Sequence, residues 1–238
     1  MKVLKEGMIY QLTFLPNIFP LNCFIVEEET ELTLIDTGIS GSYKGIVKTI
    51  ESIGKPLTNI LLTHAHVDHI GALDELKRNN PNVPVSLSAR EIRILNGDLS
   101  LDQHEPQIPI KGGVPKTLVT RADRELHEGD RIGSLEVIST PGHTPGSISF
   151  LDTRNQAIIV GDAIQTIGGM AVSGQIRLLF PFPAFGTWSK ELSNESVKKI
   201  LELKPSLLAV GHGDMLKYPE ISIQKAIQQA EKNLAKMT

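Results

Sequence analysis

The chain has 238 residues, 40% of them hydrophobic and 21% charged, with 14 prolines, a formal net charge of −3 and a pI near 6.2. That is enough apolar material for one sizeable core in a single domain over residues 1–238, and with no basic cluster longer than Lys198-Lys199 it disfavours extended phosphate tracking on nucleic acid. No run of about 18 apolar residues is available to span a bilayer, the first seven residues lack the apolar stretch of a secretory signal, and the single cysteine permits no intrachain disulfide, so a cytoplasmic protein is expected.

In chain order, residues 8–15, 21–28 and 31–35 read as strands, the last two joined by the polar turn at Glu29-Thr30. Cys23 falls inside the second and is expected as a small buried apolar residue. The third delivers Asp36-Thr37-Gly38, a pattern that also marks half of an aspartic protease site. That chemistry needs two carboxylates sharing a proton. No second Asp-Thr-Gly occurs, and a homodimer would leave the histidines below unexplained. Asp36 is therefore expected as a buried structural carboxylate near a pocket. Residues 42–52 follow as a helix, with Ile46, Val47 and Ile50 on one face and Gly54 as its stop.

The apolar stretch Asn59-Ile60-Leu61-Leu62 reads as a buried strand, and Thr63-His64-Ala65-His66-Val67-Asp68-His69 comes directly after it. His64 and His66 stand two residues apart in extended chain, so both imidazoles leave on the same side and can reach one ion. Asp68 and His69 fall where Ile70, Leu73 and Leu76 begin a helical period over residues 70–78, so they point elsewhere and suit a second ion. A merely polar turn would have to find a partner for each of these four buried groups.

Three later segments share one design. Thr140-Pro141-Gly142-His143-Thr144-Pro145-Gly146 places a histidine in a turn between strand-like runs at 135–138 and 147–151. Ala157-Ile158-Ile159-Val160 ends in Gly161-Asp162, and Leu207-Leu208-Ala209-Val210 ends in Gly211-His212-Gly213. Each strand stops at a metal-capable side chain, as if several strands emptied into one pocket. Five of the seven histidines lie in these segments and the earlier 63–69 run, His64, His66, His69, His143 and His212; His104 and His127 sit in polar stretches and are expected to face solvent.

Residues 97–113 form a long connection able to frame the pocket. Residues 164–187 are the least regular part, with three phenylalanines, Phe180, Phe182 and Phe185, interrupted by prolines that are expected to exclude a regular helix or central strand. This stretch is expected as a substrate-pocket wall or lid, with a loop packed on the core or on the second subunit of a homodimer as the alternatives. Helices are expected at 188–203 and 221–234, the last with Ile223, Ala226, Ile227, Ala230 and Leu234 at packing positions. No repeat or low-complexity tract is present.

Taken together, His64-Ala65-His66-Val67-Asp68-His69, Pro141-Gly142-His143-Thr144, Gly161-Asp162 and Gly211-His212-Gly213 resemble, in order and spacing, the metallo-β-lactamase superfamily over nearly the whole chain. The resemblance implies an α/β fold, a four-layer αββα sandwich of two mixed β-sheets flanked by helices, with the site at one edge of the sheets. It implies that His64, His66 and His143 bind one metal, that Asp68, His69 and His212 bind the other, and that Asp162 bridges them. Members of the true β-lactamase branch typically place a cysteine where Asp162 stands, whereas the only cysteine here is Cys23, so antibiotic hydrolysis is disfavoured.

Two divalent ions about 3.5–4 Å apart can share a hydroxide at neutral pH, because metal binding lowers the pKa of water from about 15.7 towards 7. The expected activity is that of a dinuclear hydrolase acting on a small molecule, with one ion polarising the scissile carbonyl and Asp68 passing a proton to the leaving group. Imidazoles and carboxylates without thiolate suit zinc first, with iron and manganese as alternatives. The compact, slightly acidic chain with an apolar insert points to a carboxyl ester, thioester or lactone, and resembles the glyoxalase II and lactonase branches. The lactonases usually carry a tyrosine three residues after the bridging aspartate, where this chain has Gln165, which weakens the case for lactones. A phosphodiesterase acting on RNA or a nucleotide, and a single-iron persulfide dioxygenase, are the alternatives; a non-enzymatic binding protein would more naturally have lost a ligand.

Overall fold

The structure is a computed structural model that describes residues 1–113 and 117–236. Two compact units make up the chain, Met1–Asp98 with Gly113–Leu126, and Leu99–Gly112 with His127–Thr238, and each is built on its own mixed β-sheet with helices.

The first unit comprises β1 (Lys2–Glu6), β2 (Ile9–Phe14), β3 (Leu21–Glu27), β4 (Leu32–Ile35), α1 (Tyr43–Ile53), β5 (Leu57–Leu61), α2 (Val67–Ile70), α3 (Leu73–Asn79), β6 (Val85–Ser88), α4 (Ala89–Leu95) and β7 (Arg124–Leu126). Its seven strands lie in sequence order, antiparallel from β1 to β4 and parallel from β4 to β7. The strands β3, β4 and β6 are buried almost throughout, as expected of strands covered on both faces. Burial pushes the Cys23 thiol well up, with the Asp36 charge adding to it, so Cys23 behaves as the apolar residue expected.

Besides β6, α4 and β7, for which the sequence analysis expected no element, two features of this unit depart from the sequence reading. A first strand, Lys2–Glu6, is added at the sheet edge, where mostly exposed side chains leave no periodic signal. The helix expected over 70–78 is split into α2 and α3 at Gly71, where a β-carbon would lie 2.6 Å from Ile39 Cα and 2.7 Å from Ser40 N. Close backbone approach, rather than helix propensity, fixes glycine there.

The second unit comprises β8 (Arg131–Ile132), β9 (Leu135–Ser139), β10 (Ile148–Asp152), β11 (Ala157–Ile159), β12 (Ile164–Gln165), β13 (Ala171–Val172), α5 (Phe182–Gly186), α6 (Lys190–Glu202), β14 (Leu207–Ala209), β15 (Leu216–Lys217) and α7 (Glu220–Leu234). Its sheet runs β15-β14-β11-β10-β9-β8, and β12 and β13 form a separate ribbon. Ile158, Val160, Leu208 and Val210 pack with Val197 and Ile200 of α6 and Ile223 and Ile227 of α7. Each fully buried aliphatic side chain of this kind contributes about 1.5–3 kcal/mol. Contrary to expectation, residues 182–186 form a short helix: Pro183 falls in its first turn, where the missing amide hydrogen is not needed and the fixed φ suits the helix.

Among the described residues no helix is long and apolar enough to cross a membrane.

Candidate metal centre

In the first unit the functional side chains leave the carboxyl ends of the parallel strands, where open α/β sheets place ligand sites. Ile35 of β4 and Leu61 of β5 are register partners, so the next residues, Asp36 and Leu62-Thr63, emerge side by side. Asp36 takes up φ +58°, a left-handed conformation that aspartate tolerates. There its Oδ1 accepts a hydrogen bond from Thr63 N at 2.8 Å, and its Oδ2 accepts from Thr63 Oγ1 and pairs with His69 Nδ1, each at 2.8 Å. The role expected for Asp36 is the one observed.

These bonds determine which imidazole nitrogens remain for a ligand. An ionised carboxylate only accepts, so His69 carries its proton on Nδ1 and presents Nε2. The Thr63 hydroxyl, donating to Asp36, can accept from His64 Nδ1 at 3.1 Å, which leaves His64 Nε2. That nitrogen lies 3.1 Å from His66 Nδ1, with the His64 ring centroid 4.7 Å from that of His66 and 4.1 Å from that of His69. His64, His66 and His69 are buried, while Asp68, in the first turn of α2, is half-buried. Glu91 of α4, fully buried, accepts a hydrogen bond from Ala65 N at 2.8 Å.

The second unit gathers the other three residues at one edge of its sheet. Parallel strands β11 and β14 pair Ile159 with Ala209, and three residues beyond each partner stand Asp162 and His212. The β9–β10 connection brings His143 to the same edge, since β10 starts beside the end of β11. The geometry there is tight: Asp162 Oδ2 lies 3.4 Å from His143 Nε2 and 3.3 Å from His212 Nε2.

The loop that carries His143 is fixed to the start of α6. Gly142 O accepts from Ser189 N and His143 O from Trp188 N, both at 2.9 Å, and Pro141 O accepts from Ser196 Oγ at 2.6 Å. Gly142 has φ +137°, and a β-carbon on it would fall 2.2 Å from Ser193 N. Thr187 Oγ1 donates to Pro183 O, so the Ser173 hydroxyl, 2.8 Å away, can donate to Thr187 and accept from His143 Nδ1 at 2.9 Å. His143 thus presents Nε2. The Phe180 ring, itself buried, lies 5.0 Å from the His212 ring, and Trp188 Nε1 donates to Ile108 O at 2.7 Å, which ties the 99–112 connection to this unit.

The donor set fits divalent metal on its own geometry. Ligand atoms about 2.0–2.1 Å from a tetrahedral zinc stand about 3.3–3.4 Å from one another; the separations of 3.3 and 3.4 Å at Asp162 match that spacing, and the 3.1 Å between His64 Nε2 and His66 Nδ1, which is also a hydrogen-bond distance, is slightly shorter. The two carboxylate contacts exceed the about 2.7–2.9 Å of a charge-assisted hydrogen bond, so they read as ligand pairs. His104 and His127 are exposed, as expected. Ser173, Thr187 and Glu91 were not anticipated. Ser88-Ala89-Arg90-Glu91 signals only a helix N-terminus, and Ser173 reaches His143 across 30 positions.

Comparison with known proteins gives a family. A model of the metallo-β-lactamase superfamily matches residues 17–212. YobT of Bacillus subtilis (strain 168) is 53% identical over 98% of this chain and 100% of that one. The hydroxyacylglutathione hydrolase GloC of Haemophilus influenzae is 28% identical over 82% of this chain and 86% of its own. The crystal structure of TTHA1623 in a di-iron-bound form superposes with a TM-score of 0.65 at 26% identity, covering 88% of this chain and 95% of that one. The chain belongs to the metallo-β-lactamase superfamily of metallo-hydrolases and has the fold of that family.

Proposed function

We propose that the chain acts as a single domain in which the two sets of side chains supply one dinuclear centre, and that it hydrolyses a small carboxyl ester, thioester or lactone in the cytoplasm. His64, His66 and His143 hold one ion and Asp68, His69 and His212 the other, with Asp162 bridging. The observation that carries this reading is the single carboxylate oxygen, Asp162 Oδ2, set at ligand spacing from both His143 Nε2 and His212 Nε2. When bound at these residues, two divalent ions, zinc in the first instance, would supply the chemistry of an acidified water and a polarised carbonyl.

The chain's own residues prepare that chemistry. Asp36 and Ser173 hold the Nδ1 protons of His69 and His143, which keeps each Nε2 available as a donor. Asp68, half-buried while the histidines are buried, retains the access to solvent that a carboxylate needs to carry a proton to a leaving group. Phe180, beside His212, supplies an apolar wall for an acyl chain, and exposed Phe182, 5.4 Å from its ring, extends that wall as a lid.

The test is a parallel assay of a hydroxyacyl-glutathione thioester, a γ-lactone and a nitrophenyl phosphodiester on zinc-loaded protein. Turnover of the thioester or lactone with little on the phosphodiester is expected. Preference for the phosphodiester would replace the reading with a phosphodiesterase, and oxygen uptake with a thiol persulfide by separately prepared iron-loaded protein would replace it with a single-iron oxygenase.

A further inference from the structure

Glu91 stands at the third position of α4, whose N-cap Ser88 accepts from Glu91 N at 3.2 Å. A glutamate three residues after a serine cap ordinarily serves the end of its own helix and stays in water. Glu91 instead has 0% exposure, and its Oε2 reaches an amide 26 positions away, Ala65 N, at 2.8 Å. Burying a carboxylate is costly unless it is hydrogen-bonded, and the Ala65 amide is one of the groups that offset that cost. Ala65 lies between two candidate ligands, and its amide orients the short extended segment that sets His64 Nε2 and His66 Nδ1 3.1 Å apart.

The same segment is held at both ends by Asp36, through Thr63 N on one side and His69 Nδ1 on the other. Glu91 contacts it in the middle. Without this contact the peptide between His64 and His66 can rotate, and a rotation of that peptide turns the two imidazoles out of their shared direction.

We propose that Glu91 is a positioning residue: its carboxylate, hydrogen-bonded to Ala65 N, holds the His64-Ala65-His66 segment in the ligating conformation before any metal arrives. The proposal rests on the metal-centre reading above and adds a residue to it.

The experiment compares Glu91→Met, close in size but without an acceptor, with Glu91→Gln, whose amide oxygen can still accept from Ala65 N. Zinc dissociation constants are measured against a competing chelator, well below each variant's unfolding temperature. Loss of a supporting contact of this kind weakens metal binding about 10–100-fold; that loss is expected for Glu91→Met, with Glu91→Gln restored to within a few-fold of the parent. Equal affinity in Glu91→Met and parent would overturn the proposal, as would a Glu91→Gln variant as weak as Glu91→Met, which would assign the effect to charge. Hydrogen exchange of the Ala65 amide in the metal-free parent tests the contact even if Glu91→Met does not fold: strong protection is expected, and exchange at the rate of an open loop would refute it. A parent that takes up no zinc while Ala65 remains protected would sink the metal-centre reading instead.

Discussion

Replacing Asp36 by asparagine alters one acceptor and little else. The residue sits at φ +58°, where asparagine is as well tolerated as aspartate, so the backbone is not strained. Three donors converge on the carboxylate, two of them, Thr63 Oγ1 and His69 Nδ1, on the same oxygen. If the amide oxygen keeps Thr63 N, the new NH2 faces the Thr63 hydroxyl, which can turn to accept it, and His69 Nδ1, which cannot while it carries a proton. His69 must either lose the contact or move its proton to Nε2, the nitrogen needed for metal. Loss of the charge-assisted bond costs about 1.5–3 kcal/mol of stability, a fall in Tm of about 3–12 °C for a chain of this length. Metal affinity should drop about 10–100-fold. The assay is thermal unfolding of metal-free protein together with stepwise zinc titration against a chelator. An unchanged Tm with parent affinity for zinc would refute the tautomer argument.

Gly142→Ala forces a β-carbon to 2.2 Å from Ser193 N at φ +137°; overpacking and backbone strain together cost about 2–6 kcal/mol, read as a lower urea midpoint, and a midpoint equal to the parent's would show that the loop is not pinned. His66→Ala should abolish turnover and lower metal content, while His104→Ala, at an exposed site, should leave both nearly unchanged; equal damage from His104→Ala would show a missing ligand. Glu27 is held at a pKa of about 2, below its ordinary 4.5, chiefly by Lys55, then Lys5 and Tyr10. Its contribution is therefore full above pH about 4.5 and lost as pH falls towards 2. The stability gap between parent and Glu27→Gln should close over that window in metal-free protein, and a gap constant with pH would contradict the assignment.

Much of the site was legible because its chemistry is local. His64, His66, Asp68 and His69 fall within six positions, and each later ligand ends a short apolar strand beside a glycine, so residue type and strand period pointed to the same places. Asp36 was legible for a different reason, as a lone carboxylate following a buried strand with no partner for protease chemistry. Glu91 and Ser173 were not, because nothing local distinguishes a capping glutamate or a loop serine from one that crosses to another element. The edge strand β1 escaped because its side chains are largely solvated, and the break at Gly71 because it answers to the Ile39 backbone. Around 182–186 the prolines argued against a helix, yet Pro181 at its N-cap and Pro183 in its first turn admit one.

We propose one dinuclear centre built from His64, His66, Asp68, His69, His143, Asp162 and His212. The most direct test is metal content by mass spectrometry on protein purified without chelator or added metal and with oxygen excluded. Two divalent ions per chain, falling in Asp162→Ala, are predicted; one iron per chain, or none in a folded parent, would contradict the account.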